Sequence, residues 1–394
     1  MNRQIYLDNA ATTKIADEVL DAMLPWLKEG YGNASSIYSF GNKSKVAIEE
    51  SRDKIASYFG CKPKELFFTS GGSESDNWAI KGVAHKYKNK GNHLITTKIE
   101  HHAVLHTMAA LEKEGFEVTY LDVDEEGFVN PKDVENAITD KTILVSIMFA
   151  NNEIGTIEPI KEIGKICKDK GVLFHTDAVQ AVGSIRINPD EYNIDLMSMS
   201  GHKIHAQKGI GILYVRTGVK LDNLIDGGNQ ERGKRAGTEN VAGIVGYAKA
   251  FELAYENLEA RNKKISALRD RLRDRILNEI EFSRLNGAKD DEKRLVNNLN
   301  ICFKYIEGES LLLLLDDKGI MGSSGSACTS GSLDPSHVLL AIGLPHEIAH
   351  GSLRLTLSDE TTEEDVDYVV ESLREIVQRL RDMSPLYKNF IERK

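Results

Sequence analysis

The sequence predicts an α/β fold: a seven-stranded, mostly parallel sheet with helices on both faces, and a smaller α+β domain after it. Three observations carry this. Between about residues 65 and 215 short apolar runs alternate with helical segments. A long helical stretch then leads into a strand, helix, strand, helix pattern that reaches the C-terminal region. Finally, 394 residues of which 41% are hydrophobic provide for a large core and more than one domain.

In order, the apolar runs are Leu66–Thr69, His93–Thr96, Val118–Leu121, Ile143–Met148, Val172–Phe174, Leu196–Ser198 and Ile212–Val215. Continuous apolar strands alternating with helices read as a sheet covered on both faces, and ligands on such sheets sit beyond the strand C-terminal ends. Gly71-Gly72-Ser73 follows the first run and opens a helix from Glu74 to about Lys88. The stretch from Val241 to Ile280 reads as one long helix with a solvated charged face. Beyond it come a strand at Asn298–Phe303, a helix at Glu309–Leu315, a strand at Leu353–Leu357 and a helix at Glu363–Met383. Between Gly319 and Asp334 nine of sixteen residues are Gly or Ser, a composition that does not pack as an element.

A net charge of −10 argues against direct nucleic-acid binding. Neither a signal peptide nor a membrane-spanning run is recognisable, so a cytoplasmic protein with no membrane partner is expected. The four cysteines show no CxxC pair, which suggests neither a disulfide framework nor a zinc site, and no resident metal is expected.

The chemistry concentrates at strand ends. Lys203, in Ser200-Gly201-His202-Lys203, closes a buried run where an ammonium is costly unless it is paired or covalently consumed, as in a Schiff base to an aldehyde cofactor. Pyridoxal phosphate is the candidate, and Asp177, ending the run before, is the acid its ring nitrogen needs. Gly72 and Ser73 begin a helix, where free N–H groups and the helix dipole favour a phosphate. His101 follows the second run and can stack on a ring or move protons. Gln180 lies three residues beyond Asp177, in what reads as the first turn of the next helix, and can donate to a phenolic oxygen. Asn152 follows the fourth run, and Arg354 offers a fork for a carboxylate. Cys328 stands in the Gly/Ser-rich segment with almost no apolar neighbours, as befits a reactive thiol, whereas Cys61, Cys167 and Cys302 lie in apolar or helical contexts.

Taken together these residues resemble the cysteine desulfurases of the iron-sulfur assembly type, in the long-loop subgroup of the class-V aminotransferase-like enzymes. The matching stretches include Thr69-Ser70-Gly71-Gly72-Ser73-Glu74-Ser75-Asp76-Asn77, Asn151-Asn152-Glu153-Ile154-Gly155, His175-Thr176-Asp177-Ala178-Val179-Gln180 and Arg235-Ala236-Gly237-Thr238-Glu239-Asn240. The resemblance implies a pyridoxal-phosphate-dependent transferase of fold type I. Its large cofactor-binding domain would span 16–255, and its small domain 1–15 plus 256–394. It also implies Lys203 as the Schiff-base lysine, Asp177 on the ring nitrogen, His101 stacked on the ring and Gln180 on the phenolic oxygen. Gly72, Ser73, Ser200 and His202 would hold the phosphate, with Thr238 coming from the other subunit of a homodimer. Asn152, also counted among the cofactor-binding residues, and Arg354 would hold the substrate carboxylate. Cys328 would take the sulfur of L-cysteine as a persulfide, leave alanine, and pass the sulfur to an iron-sulfur scaffold protein or to tRNA thiolation; it could also ligate a cluster transiently. Another pyridoxal phosphate reaction (selenocysteine cleavage, aminotransfer or β-elimination) and a non-catalytic scaffold stay open on the residues alone. Ala206 stands where glycine is commoner; were φ positive there, alanine would cost about 1 kcal/mol.

Overall fold

The computed structural model describes residues 4–324 and 335–392. All seven runs form strands of one sheet: β2 (Leu66–Thr69), β3 (His93–Thr97), β4 (Glu117–Leu121), β5 (Thr142–Ser146), β6 (Leu173–Asp177), β7 (Leu196–Ser200) and β8 (Gly211–Val215). A short β1 (Ile5–Tyr6) precedes them. The sheet order is β2-β8-β7-β6-β5-β3-β4, and only β8 runs against its neighbours. Because β8 is antiparallel to both β2 and β7, β2 regains the common direction. Thr69, Gly211 and Ser200 therefore lie side by side at one edge. Glycine is required at 211, since a Cβ there would stand 2.6 Å from the Cα of Gly71.

Neighbouring residues on each strand face opposite ways, and the core records this. Ile95, Val145, Phe174, Met197 and Ile212 enter one apolar cluster, while Leu94, Leu144, Leu196 and Leu213 enter another. Both faces are thus covered, which is why the runs are apolar throughout rather than alternating. Helices α1 (Asp17–Lys28) and α2 (Ser39–Phe59) carry Val19, Met23, Ile48 and Ile55 into the first cluster. Helices α3 (Gly72–Tyr87) and α4 (His102–Lys113) carry Trp78, Val83, Val104 and Met108 into the second. Helices α5 (Pro131–Ala137) and α6 (Ile160–Lys170) cross between later strands.

After a short helical turn, α7 (Gln230–Gly233), the stretch expected to be one helix is two: α8 (Val241–Glu256) and α9 (Leu258–Glu279). Asn257, at φ −122° and ψ 34°, breaks it. Helical spacing on both sides hid the break, because one non-helical residue leaves the apolar pattern intact. A three-stranded antiparallel sheet follows, with β10 (Asn298–Phe303) between β9 (Ser283–Leu285) and β12 (Ser352–Thr356). β11 (Ile320–Met321) pairs with β1. Helices α10 (Gly308–Asp317) and α13 (Glu363–Met383) pack with α9 in their own cluster around Leu272, Ile301, Leu355 and Leu373. Short helices α11 (His337–Ala341) and α12 (His346–Ala349) precede β12, and α14 (Pro385–Ile391) ends the described chain.

Candidate active site

The C-terminal edge of the large sheet gathers the polar residues. Asp177 is the last residue of β6; its buried carboxylate accepts the Val179 N–H at 2.9 Å. Burial raises its proton affinity, against the pull of that N–H and of the Lys203 ammonium. Lys203 follows β7 through the turn Gly201–Lys203, and its Nζ donates to the carbonyls of Ala10 at 2.5 Å and Ala11 at 2.7 Å. Gln180 Nε2 donates to the same Ala10 oxygen at 3.0 Å, so lysine and amide meet at one point. Gln180 sits in a turn, not in a first helical turn: the expected helix after β6 does not form there.

His101 caps α4, its Nδ1 accepting the Ala103 N–H at 3.1 Å. The ring proton of the neutral form is then on Nε2. Burial, then Lys203 and two other histidines, push its proton affinity down to about 4, so it is neutral at pH 7. Donor atoms of Asp76, His101 and Asp177 all lie within 4.8 Å of one another. That spacing could suit a cation, yet Lys203 already acts on both His101 and Asp177, and a divalent ion would add a second positive charge there.

An anion cradle adjoins this group. Helix α3 starts after Gly71, whose φ of 155° admits little but glycine, and no side chain among the described residues caps its first N–H groups. A Cβ on Gly72 would press within 2.8 Å of Val179 and 3.6 Å of Ser200, so glycine keeps the cradle open. Ser73 is in the first turn, and Ser200 ends β7 beside it. His202 Nδ1 lies 3.1 Å from Thr12 Oγ1, and burial with Lys203 and Lys208 lowers its proton affinity to about 4.

Arg354 on β12 is buried, with Nη2 donating to Asp8 Oδ1 at 2.8 Å and Nη1 to the Asn152 carbonyl at 3.0 Å. Its Nε is buried without a hydrogen-bond partner among the described residues. The segment 8–13 threads between this guanidinium and Lys203. Asp8 binds Arg354, Asn9 and Ala10 bind Thr356, and Thr13 donates to the His202 carbonyl.

The structure thus brings together Lys203, Asp177, His101, Gln180, Gly72, Ser73, Ser200 and His202, with Asn152 and Arg354 joined beside them. Thr238 is exposed. Cys328 lies outside the described residues. The remaining thiols are poor nucleophiles: burial pushes Cys61 and Cys167 up to about 12 and Cys302 up to about 11. Sequence reasoning gave no role to Asp8, Asp76 or Arg235; the last forms a two-pronged pair with Glu74, at 2.8 and 3.0 Å, fastening its loop to the start of α3. Ala206 is not in a left-handed conformation; His205, at φ 65°, takes that strain, and the expected alanine penalty does not arise.

An uncapped helix start beside a lysine, with a buried carboxylate behind it, fits a phosphate-bearing aldehyde cofactor. Residues 5–369 match the family model for Aminotransferase class-V, the pyridoxal-phosphate-dependent class that this fold and site define. The cysteine desulfurase IscS of Clostridium botulinum is 61% identical over 394 residues, covering 100% of this chain and 99% of its own. The cysteine desulfurase IscS of Methanosarcina thermophila is 59% identical, covering 98% and 95%. Among solved structures, a NifS-like protein matches with a TM-score of 0.90 at 40% identity over 96% of this chain and 100% of its own. SspA in complex with cysteine matches with a TM-score of 0.80 at 38% identity over 91% and 100%. The chain belongs to the cysteine desulfurase family, and pyridoxal phosphate is its cofactor.

Proposed function

We propose that this enzyme cleaves L-cysteine, moving its sulfur to Cys328 and releasing L-alanine. The meeting of Lys203, Asp177 and His101 at an uncapped helix start carries the reading, and the cysteine bound to SspA supports the substrate. When bound, pyridoxal phosphate supplies an electron sink for the substrate Cα. Asp177 would hold a proton on its ring nitrogen, and His101, neutral and fixed by Ala103, would hold the ring. Lys203, which meets Gln180 at the Ala10 carbonyl, would anchor the group and move the Cα proton, and Gln180 would donate to the phenolic oxygen. Gly72, Ser73, Ser200 and His202 take the phosphate, joined by Thr238 of the partner subunit. Arg354 and Asn152 orient the substrate carboxylate. The Cys328 thiolate would attack the substrate sulfur, forming the S–S bond as the C–S bond breaks; the electron pair of that bond stays with the substrate carbon, which takes a proton to become the methyl group of alanine, and the persulfide sulfur is then handed to an acceptor. That acceptor is an iron-sulfur scaffold protein or a component of tRNA thiolation.

A homodimer is favoured by exposed apolar side chains clustered in sequence, Tyr31, Ile37, Tyr38, Phe40 and Val46, with Ile37 fully exposed at 103%. We place the domains at 16–255 and at 1–15 plus 256–394, a division consistent with the separate apolar cluster around Leu272 and Leu373. A cytoplasmic location is in keeping with the described helices, none of which is long and apolar enough to cross a membrane. Cys328→Ser tests the reading. L-Cysteine should still bind, but neither alanine nor sulfur should be released, and mass spectrometry of wild type should find one added sulfur on the Cys328 peptide. Added sulfur on Cys61, or full alanine production by the variant, would refute it.

A further inference from the structure

Asp76, in the second turn of α3, has a position that the roles above do not use. Its carboxylate stands within 4.8 Å of the Asp177 carboxylate and the His101 imidazole, and both carboxylates are buried, at 1% and 6% exposure. Asp76 Oδ1 has no hydrogen-bond partner among the described residues, and the side-chain support comes from the Ser198 hydroxyl. The nearest basic atom, His175 Nε2 at 3.7 Å, is already engaged by Ser198 Oγ at 3.0 Å, while Nδ1 of that ring meets Ser146 Oγ at 2.8 Å. Burial holds that imidazole neutral, down at about 3.

Asp177 is better supported. It accepts a backbone N–H and faces the Lys203 ammonium. Two carboxylates this close in a dry interior do not both ionise, and the proton goes to the one with less support. The other titratable groups facing Asp76 do not alter this. From the turn between β3 and α4 come His101, neutral, and Glu100, whose own carboxyl burial raises to about 8. From β6 come His175 and Asp177, and β5 and β7 present the neutral Ser146 and Ser198. Helix α4 and strands β2 and β8 meet α3 through apolar side chains such as Val104, Phe67 and Leu213.

We propose that Asp76 is a positioning residue for the cofactor: it holds the one proton of an Asp76–Asp177 pair, leaving Asp177 as the sole anion toward the ring nitrogen. The inference rests on the role given to Asp177. Raising the pH releases the Asp76 proton to solvent, and a second anion then faces the ring, weakening its electron-withdrawing power. The pair therefore sets an alkaline limit to the site. A shift upward in the proton affinity of Asp76, from burial and then from Asp177, agrees with this.

The test is infrared spectroscopy of the full-length protein labelled with carboxyl-13C aspartate, with and without pyridoxal phosphate. At pH 7 wild type should show the carbonyl band of a protonated aspartic acid, and Asp76→Asn should lack it. In Asp177→Asn the band should titrate at lower pH than in wild type. With pyridoxal phosphate bound, the 15N shift of the ring nitrogen should show an alkaline step in wild type that Asp76→Asn lacks. No protonated band in wild type, or a band unmoved by Asp177→Asn, overturns the proposal. Wild type and Asp177→Asn suffice should Asp76→Asn not fold. If Asp177 does not serve the cofactor, Asp177→Asn keeps normal turnover while the band still shifts, which separates the two failures.

Discussion

Replacing Arg354 by lysine keeps the positive charge and removes the fork. In the structure the guanidinium is fixed from two sides, by Asp8 at 2.8 Å and by the Asn152 carbonyl at 3.0 Å, and is 3% exposed. Held in this way, it presents its remaining N–H groups to a carboxylate without the entropy of ordering a long side chain. A lysine has one nitrogen, which cannot satisfy Asp8, Asn152 and a substrate together. The loss is one hydrogen bond to a charged group, about 1.5–3 kcal/mol, or about tenfold to about a hundredfold in affinity. Because the carboxylate does not change during sulfur transfer, the interaction is equally strong in ground and transition states, and its removal raises KM while kcat stays within about threefold. Alanine formation measured against L-cysteine concentration reads both constants. Asp8→Asn, which loosens the guanidinium without removing it, should show a smaller rise. A KM unchanged in Arg354→Lys, or a loss confined to kcat, would show that the substrate carboxylate is held elsewhere.

Lys203→Ala should still take up pyridoxal phosphate in its cradle but release it on dialysis, and borohydride should fix none to the chain; cofactor fixed to Lys208 instead would displace Lys203 from its role. Burial makes His101 neutral in the fold, so its contribution to stability is complete above pH 6.5 and is lost as the pH falls toward about 4. Over that window the loss is about 3 kcal/mol; His101→Gln in cofactor-free protein should flatten the pH dependence of urea unfolding, and an equally steep curve would count against a neutral His101. Glu231→Gln should cost about 3 kcal/mol, since Arg52, 3% exposed and gripped by both Glu231 oxygens at 2.8 and 2.9 Å, would keep a buried charge with the exposed Glu49 carboxylate, 3.6 Å away, left to offset it. A loss under about 1 kcal/mol would mean that water reaches the pair.

The strands and the residues at their ends were legible because each run is apolar on both faces and each polar cluster follows a run directly. Asp177 ends β6 as read, β7 runs on to include Ser200, read as lying just past its run, and Glu363–Met383 is a helix over the whole predicted span. What escaped depends on contacts distant in sequence. Nothing near Asp8 announces Arg354, 346 positions away. Asp76 reads as an ordinary helix residue until β6 is placed beneath it. The short pairs β1 and β11 are too brief to carry a period, and the turn at Gln180 replaces a helix because β6 leads directly into the small turns around Val182 and Ile185. At Asn257 the pattern is helical on both sides, and only backbone angles reveal the corner.

The thread at residues 8–13 has a consequence for how the enzyme comes into being. It leaves the ribosome well before its partners Arg354 and Thr356, with separations of 346 and 347 residues. The large sheet can assemble around its local crossovers while synthesis continues, but the carbonyls that receive Lys203 cannot be fixed until β12 exists. A nascent chain therefore carries its lysine unseated until β12 has been made. Cofactor capture therefore follows the synthesis of β12, and truncation just before β12 should give a product that buries much of its core and never turns yellow.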